Sequence, residues 1–234
     1  MGFMRDWDAT YPWVWKEFEA GGRKYTVQDL APEDDGRAME ILVDHLCTDE
    51  VLCNLSNLSD DAESVEGIKA FWAKCLEQRV SLGCYTDIDG KHTLVALNVC
   101  VVDTVDDRTP DVEIVGEAWK NVYKAIELME ERCDVFKYLG LDRVLHALGL
   151  VVSRDFRGMG LGSYILDSRE PLSKALGIKA TATVFTGPAS QKSAEKVGFT
   201  TIYTMSLKDF VDAGLKYPND ETRLVKLMVK KYSH

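Results

Sequence analysis

The chain is predicted to be an α/β protein, with a mixed central sheet of about seven strands flanked by helices. Three observations lead there. Strand-like and helix-periodic segments follow one another as β, two helices, β, β, helix, β, helix, β, helix, β, β. Some neighbouring strands are separated by a tight turn and others by a whole helix, so antiparallel and parallel pairs share one sheet. The 234 residues, 46% of them hydrophobic, suit a single domain over positions 1–234, with 1–23 as an aromatic N-terminal extension.

Lys24 to Leu30 reads as the first strand. Ala31-Pro32-Glu33-Asp34-Asp35 then opens a helix, because proline suits a first turn and acidic groups favour the positive end of the helix dipole. Met39, Leu42, Val43 and Leu46 form its apolar face. A second helix spans Glu63 to Gln78, with Val65, Ile68, Phe71, Trp72 and Cys75 at helical spacing. Strands over Ser81 to Ile88 and His92 to Val102 follow, joined at Asp89-Gly90, where glycine accepts the positive φ of a hairpin turn. Glu117 to Cys133 is strongly helical: Trp119, Val122, Tyr123, Ile126, Met129 and Cys133 form one stripe, opposite Lys120, Lys124, Glu127 and Glu131. That stripe is expected to pack on the core. Val144 to Val152 is an apolar strand, Gly160 to Leu176 a helix and Ala180 to Phe185 a β-rich run. Ala189 to Val197 is a short helix closed by Gly198, and Thr200 to Ser206 and Arg223 to Val229 are the last two strands.

Composition narrows the function classes. The net charge is −10, with no basic stripe, so no nucleic-acid partner is expected. The densest basic stretch, Lys226 to Lys231, alternates with Leu227, Met228 and Val229 and reads as a strand with a solvated face. No apolar run is long enough to span a membrane. The N-terminus carries Arg5, Asp6, Asp8, Lys16 and Glu17 and lacks the apolar core of a signal peptide. Gly2 follows Met1, but Asp6 stands where a myristoylation signal wants Ser or Thr. The six cysteines (Cys47, Cys53, Cys75, Cys84, Cys100 and Cys133) include no C-x-x-C pair, and His45 near Cys47 has no second pair to complete a metal site. These features point to a reduced, cytoplasmic protein, acting as a monomer and without a metal.

The most informative stretch runs from Leu148 to Gly162, where an apolar strand passes into a glycine-rich turn and a helix begins. Glycines let the backbone approach a ligand closely, and a helix N-terminus offers unpaired N–H donors and partial positive charge. The result is an anion site that needs no lysine. A Walker loop requires a Lys that is absent, and in a dinucleotide fingerprint the third Gly would fall later than Gly162.

Arg157-Gly158-Met159-Gly160-Leu161-Gly162 resembles the acetyl-CoA pyrophosphate loop of the GNAT acetyltransferases, written [QR]-x-x-G-x-[GA]. Ser190 to Phe199, with Glu195-Lys196-Val197-Gly198-Phe199, resembles the last helix of that fold. Within the superfamily the chain looks like the insect arylalkylamine N-acetyltransferases, over roughly Lys24 to Val229. Ala31-Pro32-Glu33-Asp34 is similar to the opening of their first helix. Cys47-Thr48-Asp49-Glu50-Val51-Leu52 resembles their Asp-Glu-Pro-Leu segment. Thr186 and Ser190 fall where the family often carries two hydroxyl residues four apart. Two positions depart: the Pro of Asp-Glu-Pro-Leu is Val51, and the Tyr that many GNATs carry before Glu-Lys is Ala194.

The resemblance implies acetyl transfer from acetyl-CoA to a small primary amine such as dopamine, serotonin or octopamine. It implies cofactor contacts at Val151, Val152, Arg157, Gly158, Met159, Gly160, Leu161, Gly162 and Ser163. An amine with a pKa near ~10 arrives protonated and must lose a proton before attack. Glu50 is the implied base, with Asp49 its rival, although both residues also suit helix caps or exposed loops. Backbone N–H groups around Val152 would hold the oxyanion. With no Tyr at position 194, Ser190 is the implied partner of the leaving thiolate, with Thr186 beside it; a capping role for either is the alternative. Direct transfer is expected rather than an acetyl-cysteine at Cys47 or Cys53. His45, His92, His146 and His234 read as structural or exposed, although His146 lies in the strand before the loop and could face the site. Tyr11-Pro12-Trp13-Val14-Trp15 either lines an amine pocket or straps the body. A GNAT acting on a polyamine or a protein amine, and an acyl-CoA-binding module without catalysis, remain as alternatives.

Overall fold

The computed structural model describes residues 3–108 and 112–233; Gly2 and His234 lie outside them. The described strands form one sheet in the order β1-β2-β3-β4-β5-β6-β8-β7. The chain begins with β1 (Val14–Ala20) and β2 (Arg23–Asp29). Helical turns follow: α1 (Asp35–Ile41), a π-turn over Leu42–Leu46, α2 (Cys47–Asp49), α3 (Val51–Leu55) and α4 (Ala62–Leu76). Then come β3 (Leu82–Ile88), β4 (Lys91–Thr104), α5 (Glu117–Arg132), α6 (Val135–Leu139) and β5 (Arg143–Val152). The last part holds α7 (Leu161–Ala175), β6 (Ala180–Phe185), α8 (Pro188–Lys196), β7 (Thr200–Ser206), α9 (Leu207–Asp212) and β8 (Leu224–Lys231).

The sheet has eight strands where about seven were expected, because β1 lies inside the segment read as an extension. Lys16, Glu17 and Glu19 alternate with Trp15 and Phe18, and a bulge between Val14 and Lys16 breaks the two-residue period that would have marked a strand. The single helix expected after Ala31 is divided instead. The chain passes from α1 through the π-turn to α2 and leaves helical geometry at Glu50, whose φ and ψ are −68° and 139°. The hairpin at Asp89-Gly90 forms as expected, with φ of 51° and 77° at the two residues.

Helices cover both faces of the sheet. Alpha4 and α5, with Phe71, Trp72, Trp119 and Val122, pack on one face. Alpha7, through Leu161, Ile165 and Leu172, packs on the other. Beta4 is therefore buried from Leu94 to Asp103 and reads as a continuous apolar run rather than an alternating one. The start of α5 is pinned to α4: Ser64 Oγ donates to Asp61 at 2.6 Å and accepts from the Trp119 N–H at 2.9 Å. Gly116 permits this approach, since a Cβ there would stand 2.3 Å from Ser64 Oγ.

One feature of the sheet opens a site. Beta5 and β6 are the parallel neighbours, and they pair only at Leu145–Thr181 and His146–Ala182. Beyond that point β5 stays with β4 and β6 stays with β8, so the two strands part. A bulge enforces the divergence: Gly149 adopts φ of 140° where the β4–β5 register shifts between Asn98 and Cys100.

Candidate active site

The parting strands floor a cavity of about 850 Å³, counted out to its open mouth. Ala147 to Leu150 of β5 and Thr183 to Phe185 of β6 form the floor, and α4 and α5 form the walls. Phe71, Trp119 and Tyr123 meet edge to face there, with ring centroids 5.4 to 5.9 Å apart. The Trp119 indole N–H is buried with no hydrogen-bond partner among the described residues. The α5 stripe, expected only to pack on the core, thus also lines the cavity with Trp119, Val122, Tyr123 and Ile126. The Tyr11–Trp15 segment does not line it. Trp13 and Trp15 surround Arg5, which pairs with Asp29 at 2.7 Å, so the segment is a strap on the body.

Glu50 lies on the cavity wall. Its carboxylate caps α3, accepting from the Leu52 N–H at 3.1 Å and the Cys53 N–H at 2.8 Å, and it also accepts a hydrogen bond from Thr186 Oγ1. The capping reading therefore holds without removing Glu50 from the cavity. Asp49 is committed elsewhere: Arg154 Nε lies 2.9 Å and Arg157 Nη2 2.8 Å from Asp49 Oδ2. Hydrogen bonds from Arg154, with Arg157 beside it, hold the Asp49 carboxyl down to about 2.

Ser190 and Thr186 both line the cavity. Neither caps α8. The cap position is Gly187, and Ser190 Oγ donates to the Gly187 carbonyl at 3.0 Å from the first turn. Ala194 is fully buried against Leu166, Phe185 and Phe199, so this position faces the core between α7 and α8. Gly198, just past α8, has φ of 89° and suits the expected C-cap.

The loop after β5 turns through Arg154–Phe156, and α7 starts at Leu161 with Gly160 as N-cap. Gly158 and Gly160 have φ of 82° and 75°, and a Cβ added to either would meet nothing within 4 Å. Their backbone faces open space at the N-terminus of α7. These residues fit a phosphate-bearing ligand held by backbone donors. Arg157 turns back instead, donating from Nε to the Val152 carbonyl at 2.9 Å while it pairs with Asp49. Met159 packs away from the loop, with Tyr25 OH 3.4 Å from its sulfur. Val151 is buried in the core, Val152 ends β5, and Gly162 and Ser163 lie in the first turn of α7, with Ser163 donating its N–H to the Gly160 carbonyl at 3.0 Å.

Two further groups stand at the site: His146, whose place in the strand before the loop allowed it to face there, and Arg169, which was not expected. His146 on β5 touches the cavity and stands between two carboxylates, Asp103 at 2.8 Å and Glu130 at 3.1 Å. Burial by itself disfavours a charged ring, but Glu130 and Asp103 outweigh it and raise the ring to about 10. Arg169 of α7 is fully buried beside Asn98 and Thr183 of the cavity wall. Its only mark in the sequence is a cation within the apolar stripe of a helix. His45 is half-buried, and His92 stacks on Tyr85 near the surface. All six cysteines are free thiols, and the described residues contain no cluster able to hold a metal. No helix among the described residues is long and apolar enough to cross a membrane.

No protein-family model and no curated protein sequence matches the chain. Solved structures do. A protein of the yellow fever mosquito Aedes aegypti, named putative arylalkylamine N-acetyltransferase 7, is 30% identical, with a TM-score of 0.91 over 98% of this chain and 99% of that one. Arylalkylamine N-acetyltransferase 2 of Aedes aegypti is 18% identical, with a TM-score of 0.76 over 89% and 99%. A Drosophila melanogaster polyamine N-acetyltransferase that forms N-acetylagmatine is 17% identical, with a TM-score of 0.71 over 88% and 99%. The last two are likenesses of fold.

Proposed function

The chain belongs to the arylalkylamine N-acetyltransferase-like GNAT proteins, and from that premise we propose that it acetylates a small arylalkylamine by direct attack on acetyl-CoA. The coarser activity, acetyl transfer to an amine, follows from the family. The observation that carries the finer reading is the place of Glu50: a carboxylate held by three donors on the wall of a cavity lined by Phe71, Trp119 and Tyr123. Aromatic walls take an aryl group and attract a cation, and a carboxylate at the wall takes the ammonium end.

Acetyl-CoA supplies a thioester carbon open to attack. The chain's own groups do the rest. The loop from Arg157 to Ser163 binds phosphate through backbone N–H groups. Glu50 accepts the ammonium proton, directly or through water, and Thr186 orients the carboxylate. The free amine forms the N–C bond, the C–S bond breaks, and the electron pair leaves on sulfur. Ser190 stands by to donate a hydrogen bond to that thiolate, which then takes up a proton. A covalent acetyl-cysteine is disfavoured: burial, and then the charge of Glu50, push the Cys47 thiol up to about 12 and the Cys53 thiol well above its ordinary range, whereas the thiolate is the nucleophile.

The test is thiol release from acetyl-CoA against dopamine, serotonin, octopamine, histamine, agmatine, spermidine and a peptide N-terminus. Preference for the aryl amines supports the proposal. Preference for agmatine or spermidine would replace it with a polyamine enzyme, and CoA binding without turnover on any amine with a non-catalytic acyl-CoA binder.

A further inference from the structure

Arg169 lies on α7, the helix whose first turn belongs to the glycine loop, and its guanidinium is completely buried. Nε donates to Asn98 Oδ1 at 2.8 Å, and Nη1 donates to Thr183 Oγ1 at 2.8 Å and Thr181 Oγ1 at 3.2 Å. Nη2 has no hydrogen-bond partner among the described residues. The ionisable groups that face this cation are Cys100 on β4 and Tyr232 just past β8. Burial pushes the Cys100 thiol up to about 11 and raises the Tyr232 hydroxyl, so both are neutral at neutral pH. Burial also works against the charge on Arg169, yet a guanidinium does not give up its proton in a protein. A cation buried among neutral groups is costly and calls for a compensating anion.

The neighbours of Arg169 show where an anion would benefit. Asn98 and Thr183 both line the cavity where β5 and β6 part. The Arg169 donor fixes the orientation of the Asn98 amide: Oδ1 faces the guanidinium, and Nδ2 donates to the Gly149 carbonyl at 2.7 Å. The amide dipole thus directs its positive end away from Arg169, toward the β5 bulge. We propose that Arg169 is a positioning residue for acetyl transfer: its buried charge, with the Asn98 amide that it aligns, makes the gap between β5 and β6 electropositive and favours the negative charge that develops there, while Thr183, whose hydroxyl hydrogen goes to the Ala182 carbonyl at 2.6 Å, only holds the guanidinium in place. This rests on the acetyltransferase reading. In that reaction the C–S bond breaks with its electron pair going to sulfur, and the thiolate carries that charge until it takes up the proton released by the amine. Positive potential built into a water-poor site lowers the barrier to such charge.

The thiol of enzyme-bound CoA reports this potential without any amine, because the thiolate absorbs in the ultraviolet and can be titrated. R169M removes the cation. N98D keeps the volume and gives Arg169 a counterion, at the loss of the bond from Nδ2 to the Gly149 carbonyl; with its folding checked by a melting curve, it carries the test if R169M fails to fold. In either variant the bound thiol is expected to titrate about one pH unit higher than in the wild type, with kcat lower by about tenfold or more. CoA affinity is expected to change by less than about threefold, since CoA binds with a neutral thiol at pH 7. R169K, which keeps the charge, is expected to recover most of kcat. Folded variants that bind CoA with an unchanged thiol titration and unchanged kcat would overturn the role of Arg169 alone. A wild-type chain that does not bind CoA would overturn the acetyltransferase reading and this inference with it.

Discussion

Thr186 donates its hydroxyl hydrogen to the carboxylate of Glu50, across 136 positions of sequence. The contact joins the turn before α8 to the break between α2 and α3, and both residues line the same cavity. It gives Glu50 two settings, as the cap of a short helix and as a carboxylate on the cavity wall, and the two can be separated by substitution.

Glu50→Gln retains one oxygen for one of the two N–H groups, which Leu52 directs at Oε1 and Cys53 at Oε2, but cannot take up a proton. We expect kcat to fall by about two orders of magnitude in both Glu50→Gln and Glu50→Ala. Only the alanine variant is expected to lose a further ~1 kcal/mol of stability, from the missing cap. Steady-state rates and melting temperatures on the pair decide this; wild-type kcat in Glu50→Gln removes Glu50 from the mechanism.

Gly160 has φ of 75° and open space where a side chain would project. Gly160→Val is expected to weaken CoA binding by about a hundredfold or more, because the branched group fills the approach to the loop N–H donors. The left-handed φ adds about 1–2 kcal/mol of backbone strain. Calorimetric titration with CoA, alongside a melting curve, distinguishes a blocked loop from an unfolded one. Wild-type affinity would show that the ligand does not approach this loop.

Ser190 is not a cap, so its removal should cost little stability. Ser190→Ala loses one bond from Oγ to the Gly187 carbonyl and is expected to lower the melting temperature only slightly. If its hydroxyl assists the departing thiolate, kcat falls while the Kd for acetyl-CoA stays constant, because the interaction strengthens only as charge develops. Unchanged kcat would pass that role to a water or another donor.

His146 links stability to pH. Its ring is raised from an ordinary 6.5 to about 10, against the pull of burial, by Glu130 and Asp103. A folded-state value above the unfolded one means that this stabilisation is complete below pH 6.5 and is lost as pH rises through about 10. We expect the wild-type melting temperature to decline between pH 7 and pH 10, and His146→Gln to be less stable at pH 7 but flatter over that range. Parallel curves would show that the ring is not charged in the folded protein.

Much of the fold was legible because its signals are local. Helical periodicity marked α4 and α5, the glycine-rich turn after an apolar strand marked the start of α7, and Asp89-Gly90 and Gly198 marked a hairpin and a helix end through the φ that glycine tolerates. Beta1 escaped because its bulge and its alternating charges blur the period of two. The short helices α3, α6 and α9 have five or six residues each, too few for periodicity to register.

The sequence by itself determined the glycine loop after an apolar strand and the helix that follows it, features that depend on residue type and on spacings of a few positions. Glu50, Thr186 and Ser190 came to notice only through the resemblance to the arylalkylamine N-acetyltransferases. Only the tertiary structure decided that Glu50 rather than Asp49 faces the cavity, since Asp49 is drawn away by Arg154 and Arg157, about a hundred positions downstream. Only the tertiary structure showed that the α5 stripe borders a cavity and that Arg169 stands behind it. The physical reason is common to all three. An amphipathic pattern states that a face is covered, and a charge states that it needs a partner. What covers the face and which partner is found depend on chain segments brought together by the order β4-β5-β6-β8 and by the parting of β5 from β6.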